Sequence, residues 1–256
     1  MLARERQSFI LNTVQRTGSV RIHEVALLLS VSDMTVRRDL EQLARKGLLD
    51  KVHGGALPPS SRSADEPGFD VKVDRAKQEK QAIADLAAEL VSPGSSVALT
   101  AGTTTFVLAH RLREVRGITV VTNSMRIAAV LQGHRSDQTI VLTGGVRTPS
   151  DALVGPVAVA SLNRLHVDLV FMGVHGMTAK AGFTTPNLAE VDTNRAFLSS
   201  ARRCVVLADH TKWDVSGLSS IAHLTEVDTV ICDDQLSEAG QRALRAATNL
   251  LLAHAS

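Results

Sequence analysis

The sequence predicts an α/β protein, with a small N-terminal winged helix-turn-helix domain followed by a mainly parallel-sheet, helix-covered domain. Three observations carry this. Three short amphipathic segments crowd into the first 57 residues and end in a Gly-Gly turn. A proline- and serine-rich stretch comes after them. Beyond it, continuously apolar runs of strand length alternate with amphipathic helices, the pattern of a parallel sheet buried on both faces.

The first helix covers Gln7 to Gln15, with Ile10 and Val14 on one face, and Thr17-Gly18-Ser19 breaks it. The second runs from His23 to Leu29, with Val25, Leu28 and Leu29 as its apolar face. Between Leu29 and Ser32 there is room only for a tight turn, the spacing of a helix-turn-helix. The third helix lies in Val31–Leu43. Ser32 can cap it, and Val36, Leu40 and Leu43 form its buried stripe. That stripe turns Met34, Arg38 and Arg45 outward, with Thr35 and Arg37 beside them. Guanidinium forks match phosphate oxygens and the guanine edge in the major groove. Gly47 stops the helix, and Leu49–Val52 before Gly54-Gly55 suits a β-hairpin wing. The expected DNA contacts are Thr35, Arg37 and Arg38 in the groove, with Arg45, Lys46, Lys51 and His53 near the backbone and Ser32 at the capped end. A three-helix packing module with surface arginines is the bland alternative.

Charge agrees with the split. Residues 1–57 hold nine Lys/Arg against six Asp/Glu, while the remainder holds 19 against 20. So small an excess predicts weak, salt-sensitive DNA binding by a monomer, hence a dimer or tetramer. No stretch approaches the roughly 20 apolar residues of a membrane span, and the polar start is not a secretory signal. The two cysteines, Cys204 and Cys232, sit in apolar strand-like runs and read as buried, inert thiols. The nine histidines show no metal-ligand spacing. The expected location is the cytoplasm, with no cofactor and no metal.

The expected domains are 1–57, a linker over 58–74, and 75–256. In the last, Arg75 to Val91 reads as a long helix with Ile83, Leu86, Ala87 and Leu90 inward. The strands are expected at Val97–Leu99, Ile118–Thr122, Thr139–Leu142, Leu169–Met172, Cys204–Leu207 and Thr229–Ile231. Helices are expected near Phe106–Val115, Ser124–Leu131, Pro156–Leu165, Leu188–Ala201 and Ser237 to about Leu252. Ligands of such sheets sit at the carboxyl ends of strands, against helix N-termini. Three strands end in glycine and hydroxyl residues there: Thr100-Ala101-Gly102-Thr103-Thr104-Thr105, Thr122-Asn123-Ser124 and Thr143-Gly144-Gly145. Each could be an ordinary β-to-α turn; three on neighbouring strands point to an anion-binding mouth. Lys212 could reach a phosphate or a sugar hydroxyl. Glu190 could accept from hydroxyls, or could simply complement the dipole of the helix it opens. His175 and His210 could titrate near neutrality. Trp213 reads as a packing anchor or pocket lid, and Asp168 as a turn residue rather than an acid catalyst.

In order along the chain, MTVRRDLEQLARKGLLDKVHGGAL, AGTTT, VVTNS, LTGGV, LVGPVAVASL, DLVFMGVHG, GFTT and LADHTKW resemble the DeoR family of bacterial transcription regulators over nearly the whole chain. The resemblance implies a winged helix-turn-helix joined to an effector domain related to ribose-phosphate isomerase, which senses a phosphorylated sugar or related anionic metabolite and controls sugar-catabolic genes. It places the effector contacts at Gly102, Thr103, Thr104, Thr105, Thr122, Asn123, Gly144, Gly145, Glu190 and Lys212. Thr100 stands where the family often has aspartate, and His175 where an acidic residue is common. Both changes lower repulsion toward an anion.

The reading that results is a DNA-binding regulator, a repressor, with no catalytic residues. Two rivals compete with it. One is a sugar-phosphate isomerase or hydrolase with an appended DNA-binding head. The other is an architectural DNA-binding protein with a ligand-blind oligomerisation domain. Against the enzyme stands the thin supply of acid–base groups that proton transfer needs.

Overall fold

The computed structural model describes residues 2–17, 19–52, 54–57, 68–132, 137–148 and 150–255. The chain divides into two compact units, Met1–Arg62 and Ser63–Ser256. His53, expected near the DNA backbone, and positions 58–67 of the expected linker lie outside the described residues.

The first unit contains α1 (Ala3–Thr17), β1 (Val20–Arg21), α2 (Ile22–Leu29), α3 (Asp33–Arg45), β2 (Asp50–Val52) and β3 (Gly55–Leu57). Its core joins Ile10 and Val14 of α1, Val25 and Ala26 of α2, and Val36, Leu40 and Leu43 of α3. The buried face of α2 differs from the expected one. Ile22, Val25 and Ala26 are inward, whereas Leu28 is 69% exposed. With α2 beginning one residue early, its inward stripe runs through Ile22, Val25 and Ala26 at i, i+3 and i+4, and Leu28 falls off it. The wing is a three-stranded antiparallel sheet in the order β1-β3-β2. Gly55 is required there, since a Cβ would stand 2.0 Å from the Val20 carbonyl oxygen.

The second unit opens with α4 (Phe69–Val73), inside the stretch expected to be linker. Phe69 is buried, so this part of the chain is held rather than loose. There follow α5 (Lys77–Ala88), β4 (Ser96–Leu99), α6 (Thr103–Leu112), β5 (Thr119–Thr122), α7 (Met125–Leu131) and β6 (Thr139–Leu142). A small hairpin, β7 (Val146–Arg147) and β8 (Leu153–Val154), leads to α8 (Pro156–Leu162) and β9 (Val167–Gly173). Then come β10 (Gly176–Thr178), β11 (Gly182–Thr185), α9 (Leu188–Ser200), β12 (Ala201–Leu207), a 3-10 turn (His210–Lys212) and β13 (Ser219–Ala222). The unit ends with β14 (Thr229–Asp233), α10 (Glu238–Ala247) and β15 (Asn249–Ala253). The expected last helix is thus too long, because Leu250 to Leu252 belong to a strand. A short apolar run does not by itself distinguish the two states. Here the backbone turns extended at Thr248, and β15 pairs in parallel with β14.

All pairings in the seven-stranded sheet, β15-β14-β12-β9-β4-β5-β6, are parallel. Alternate residues feed two cores, as the two-residue period of a strand requires. Val97, Leu99, Leu169, Phe171, Val205 and Leu207 pack with Ile83 of α5, Leu108 of α6 and Ile127 of α7. Ala98, Val170, Met172, Cys204 and Val206 pack on the other side, with Leu162 of α8, Phe197 of α9 and Leu244 of α10. Both thiols are buried, and burial pushes that of Cys204 up to about 12. A small antiparallel sheet, β10-β11-β13, joins the second core through Met177, Phe183 and Ile221. After β6 the chain returns past β4 to lay down β9 on its other side. Strand order therefore reverses between β4 and β9, and ligands of open α/β sheets collect at such a switch point.

Candidate functional site

In the first unit, α3 presents the expected residues. Ser32 caps it, its Oγ accepting from the Thr35 N–H at 3.2 Å and lying 2.9 Å from Thr35 Oγ1. Ser32 and Thr35 thus form one hydroxyl pair at the helix start. Arg37, Arg38, Arg45 and Lys46 line its outer side, and all four are exposed. Lys51 on the wing is held by Glu41, with Nζ to Oε1 at 2.6 Å, and this bond keeps the Glu41 carboxyl below its ordinary range. Both ends of that pair are well exposed, so it is readily exchanged for a phosphate. Unforeseen is Asp39, which faces inward among the apolar positions and is only 3% exposed. It accepts from Arg6 Nε at 2.8 Å and Gln7 Nε2 at 3.2 Å, pinning α3 to α1.

In the second unit, a recess opens where β4 and β9 end. Gly102 and Gly173 lie side by side at its floor, with the Gly173 Cα 3.8 Å from where a Cβ on Gly102 would be. Thr103 and Thr104, in the first turn of α6, line it. The N–H groups of a first turn have no acceptor within their own helix, so this end favours an anion. The helix begins at Thr103, three residues earlier than expected. β-Branched residues are cheap in a first turn, since no preceding turn restricts them. Asn123, Glu190 and Lys212 also line the recess.

Framework and lining separate clearly. Thr105 is fully buried, and its hydroxyl donates to the Thr100 and Gly102 carbonyls at 2.7 and 3.0 Å. Thr122 is also buried, donating to the Leu99 carbonyl and accepting from the Ser124 N–H. Neither lines the recess, and both hydroxyls are engaged in supporting the turn. Gly144 and Gly145 stand away from it as well. Gly145, at φ +123°, allows backbone passage against β8, where a Cβ would come within 2.6 Å of the Val154 oxygen. Asn123 reaches the recess, yet its Oδ1 accepts from Ala101 N–H and its Nδ2 donates to the Leu153 carbonyl. It positions the walls.

Glu190 accepts from Ser150 Oγ at 2.8 Å and from Thr185 Oγ1 at 2.7 Å. Lys212 ends the 3-10 turn, which Asp209 caps by accepting from the Thr211 N–H and hydroxyl. Within that turn His210 Nδ1 lies 2.8 Å from Asp233 Oδ1, and the bond raises the imidazole pKa above its ordinary value. Thr100, buried, accepts from the Gly173 N–H at 3.0 Å, tying β4 to β9. Trp213 packs over Gly240 and away from the recess, an anchor rather than a lid. Asp168 accepts from the Ser96 N–H and hydroxyl, which lower its pKa, and so has a structural task.

Among the lining residues outside the expected effector contacts are Phe69, Lys72, Ser150, His175, Thr185 and Asn194. Of these, His175 is marked in the sequence as a candidate titrating group and by its departure from the family pattern. Asn194 has a readable signal, standing four residues after Glu190 on the same face of α9. Lys72 has none, because it falls in the supposed linker.

Among the described residues, no helix is long and apolar enough to cross a membrane. The DeoR-like helix-turn-helix domain matches residues 6–62, and the DeoR C terminal sensor domain matches 75–234. An uncharacterized HTH-type transcriptional regulator of Escherichia coli K12, YgbI, is 39% identical over 95% of both chains. A putative aga operon transcriptional repressor of E. coli O157:H7 is 31% identical, covering 95% of this chain and 91% of that one. The glycerol-3-phosphate regulon repressor of E. coli K12 is 30% identical over 90% of each. Among solved structures, a D-ribose-5-phosphate isomerase in complex with phospho-erythronic acid aligns over 54% of each chain, at 17% identity and a TM-score of 0.40. These three relatives bear the names of transcription regulators or repressors, and with both domains matched in order the chain belongs to the DeoR family of DNA-binding transcription regulators.

Proposed function

We propose that the protein is a repressor of carbohydrate-catabolism genes whose operator affinity is set by a phosphorylated sugar or related anionic metabolite in the switch-point recess. The observation that carries this is the recess itself, where a helix N-terminus and Lys212 meet Glu190 at the strand-order reversal. The first two suit a phosphate, and the carboxylate suits hydroxyls. One relative bears the name of a putative aga operon repressor and another that of a glycerol-3-phosphate regulon repressor, and the second name supports a phosphorylated ligand. Thr35, Arg37 and Arg38 read bases, while Arg45, Lys46 and Lys51 hold phosphates. The DNA-binding domain takes in residues 1–57, and the ligand-binding domain begins at α4. The slight cationic excess of the first unit calls for a homo-oligomer on DNA in the cytoplasm.

The test is a titration of the full chain on the DNA upstream of its own gene, at fixed salt, with and without a panel of pentose and hexose phosphates. A ligand of the right class shifts operator affinity by about 5- to 150-fold. Indifference to every sugar phosphate tried would remove the sensor role. Arg38→Ala lowers specific affinity by about 1–3 kcal/mol if that side chain reads a base.

A further inference from the structure

Residues 63–74 fall between the two compact matched regions, yet α4 brings Phe69 and Lys72 to the wall of the recess. This short helix is gripped from several sides. The Phe69 ring meets Phe106 of α6 edge-on, with centroids 5.2 Å apart. The Arg126 guanidinium lies 4.3 Å from the Phe69 centroid and also pairs with Asp70 at 3.3 Å. The same arginine donates to Asp151 at 2.5 Å, next to Ser150, which bonds Glu190 in the recess. At the other end of α4, the buried Lys80 donates from Nζ to the Lys72 carbonyl at 2.6 Å.

Around Lys80 the cations are crowded. Burial pushes its amine down to about 8; Asp209 opposes that, while Lys212, Arg75 and Lys72 add to it. Lys72, Arg75 and Lys212 thus all lie within electrostatic reach of Lys80, with Asp209 as a counter-charge there. An arriving dianion relieves that repulsion, and two of the four, Lys72 and Lys212, line the recess where it would sit.

We propose that Lys72 is an anion-contacting residue of this site, closing over a ligand phosphate from α4 while Lys212 holds it from the sheet side. The segment by which the chain runs on toward its DNA-binding unit then forms part of the ligand cradle, and occupancy stiffens it. This rests on the effector reading above and adds to it a residue, and a route, outside both matched domains.

The experiment uses the full chain, with inorganic phosphate and ribose 5-phosphate as probes in thermal-shift titrations, and hydrogen exchange monitored over residues 68–75. In Lys72→Met the half-saturating phosphate concentration rises about tenfold or more, as loss of a charge-assisted bond implies. The Lys80 bond survives the substitution, because it uses the backbone carbonyl of Lys72 and not its side chain, and the ligand-free melting temperature is recorded beside each titration. Phosphate slows exchange over 68–75 in the unmodified chain and not in Lys72→Met. A Lys72→Met protein that titrates like the unmodified one, or an α4 whose exchange ignores a bound probe, overturns the proposal and leaves the effector site standing. An unmodified chain that responds neither to these probes nor to the panel of pentose and hexose phosphates overturns both.

Discussion

Two turns of this protein have nearly the same composition and different fates. Thr100–Thr105 and Thr143–Gly145 each leave a parallel strand through threonine and glycine. The first runs straight into a ten-residue helix and lines the recess. The second runs into the β7–β8 hairpin and faces away. The element that succeeds the turn decides its role. A helix aims its N–H groups back at the strand end, whereas a hairpin spends its glycines on close backbone approach.

Three substitutions can break or sharpen that contrast. The largest stability effect is expected for Gly145→Ala. A Cβ there meets the Val154 oxygen at a φ that side chains rarely adopt, so urea denaturation should show a loss of about 1–3 kcal/mol. A change within error would mean that the hairpin tolerates a side chain and that its glycines have another purpose. Next is Thr105→Val, which withdraws one donor from two carbonyls. Chemical denaturation should report about 1–2 kcal/mol, with phosphate affinity altered only through the turn it supports. The smallest stability effect belongs to Thr104→Val, less than about 1 kcal/mol, although calorimetry should find phosphate binding several-fold weaker. Should Thr105→Val impair phosphate binding more than Thr104→Val does, framework and lining have been assigned the wrong way round.

Much of the fold was legible because period-two and period-3.6 patterns report burial directly. The six expected strands and the helices between them are all present, and the stripe Val36, Leu40, Leu43 is buried as expected. The ends of elements were less legible. Leu250 to Leu252 could continue a helix or begin a strand, and a pairing partner, β14, decided it. The site was half legible for a different reason. Sequence locates hydroxyls at strand ends but does not say which way each points, so Thr105 and Thr122 looked equal to Thr103 and Thr104. Ser150 comes to Glu190 from 40 residues away, and Lys72 arrives on a helix hidden in polar chain. Long-range placement of that kind has no local periodicity to betray it.

The closing strand has a practical consequence. β15 is one edge of the seven-stranded sheet, and its neighbour β14 is buried at all five positions, Thr229 to Asp233. Shortening the chain at Thr248 would strip the outer ladder from β14 and leave a flat apolar edge, which is a template for intermolecular pairing. Such a trimmed protein should sediment as soluble aggregates or pellet on expression, even though it retains every residue of both matched domains. Monodisperse behaviour after that cut would show that α10 alone shields the edge.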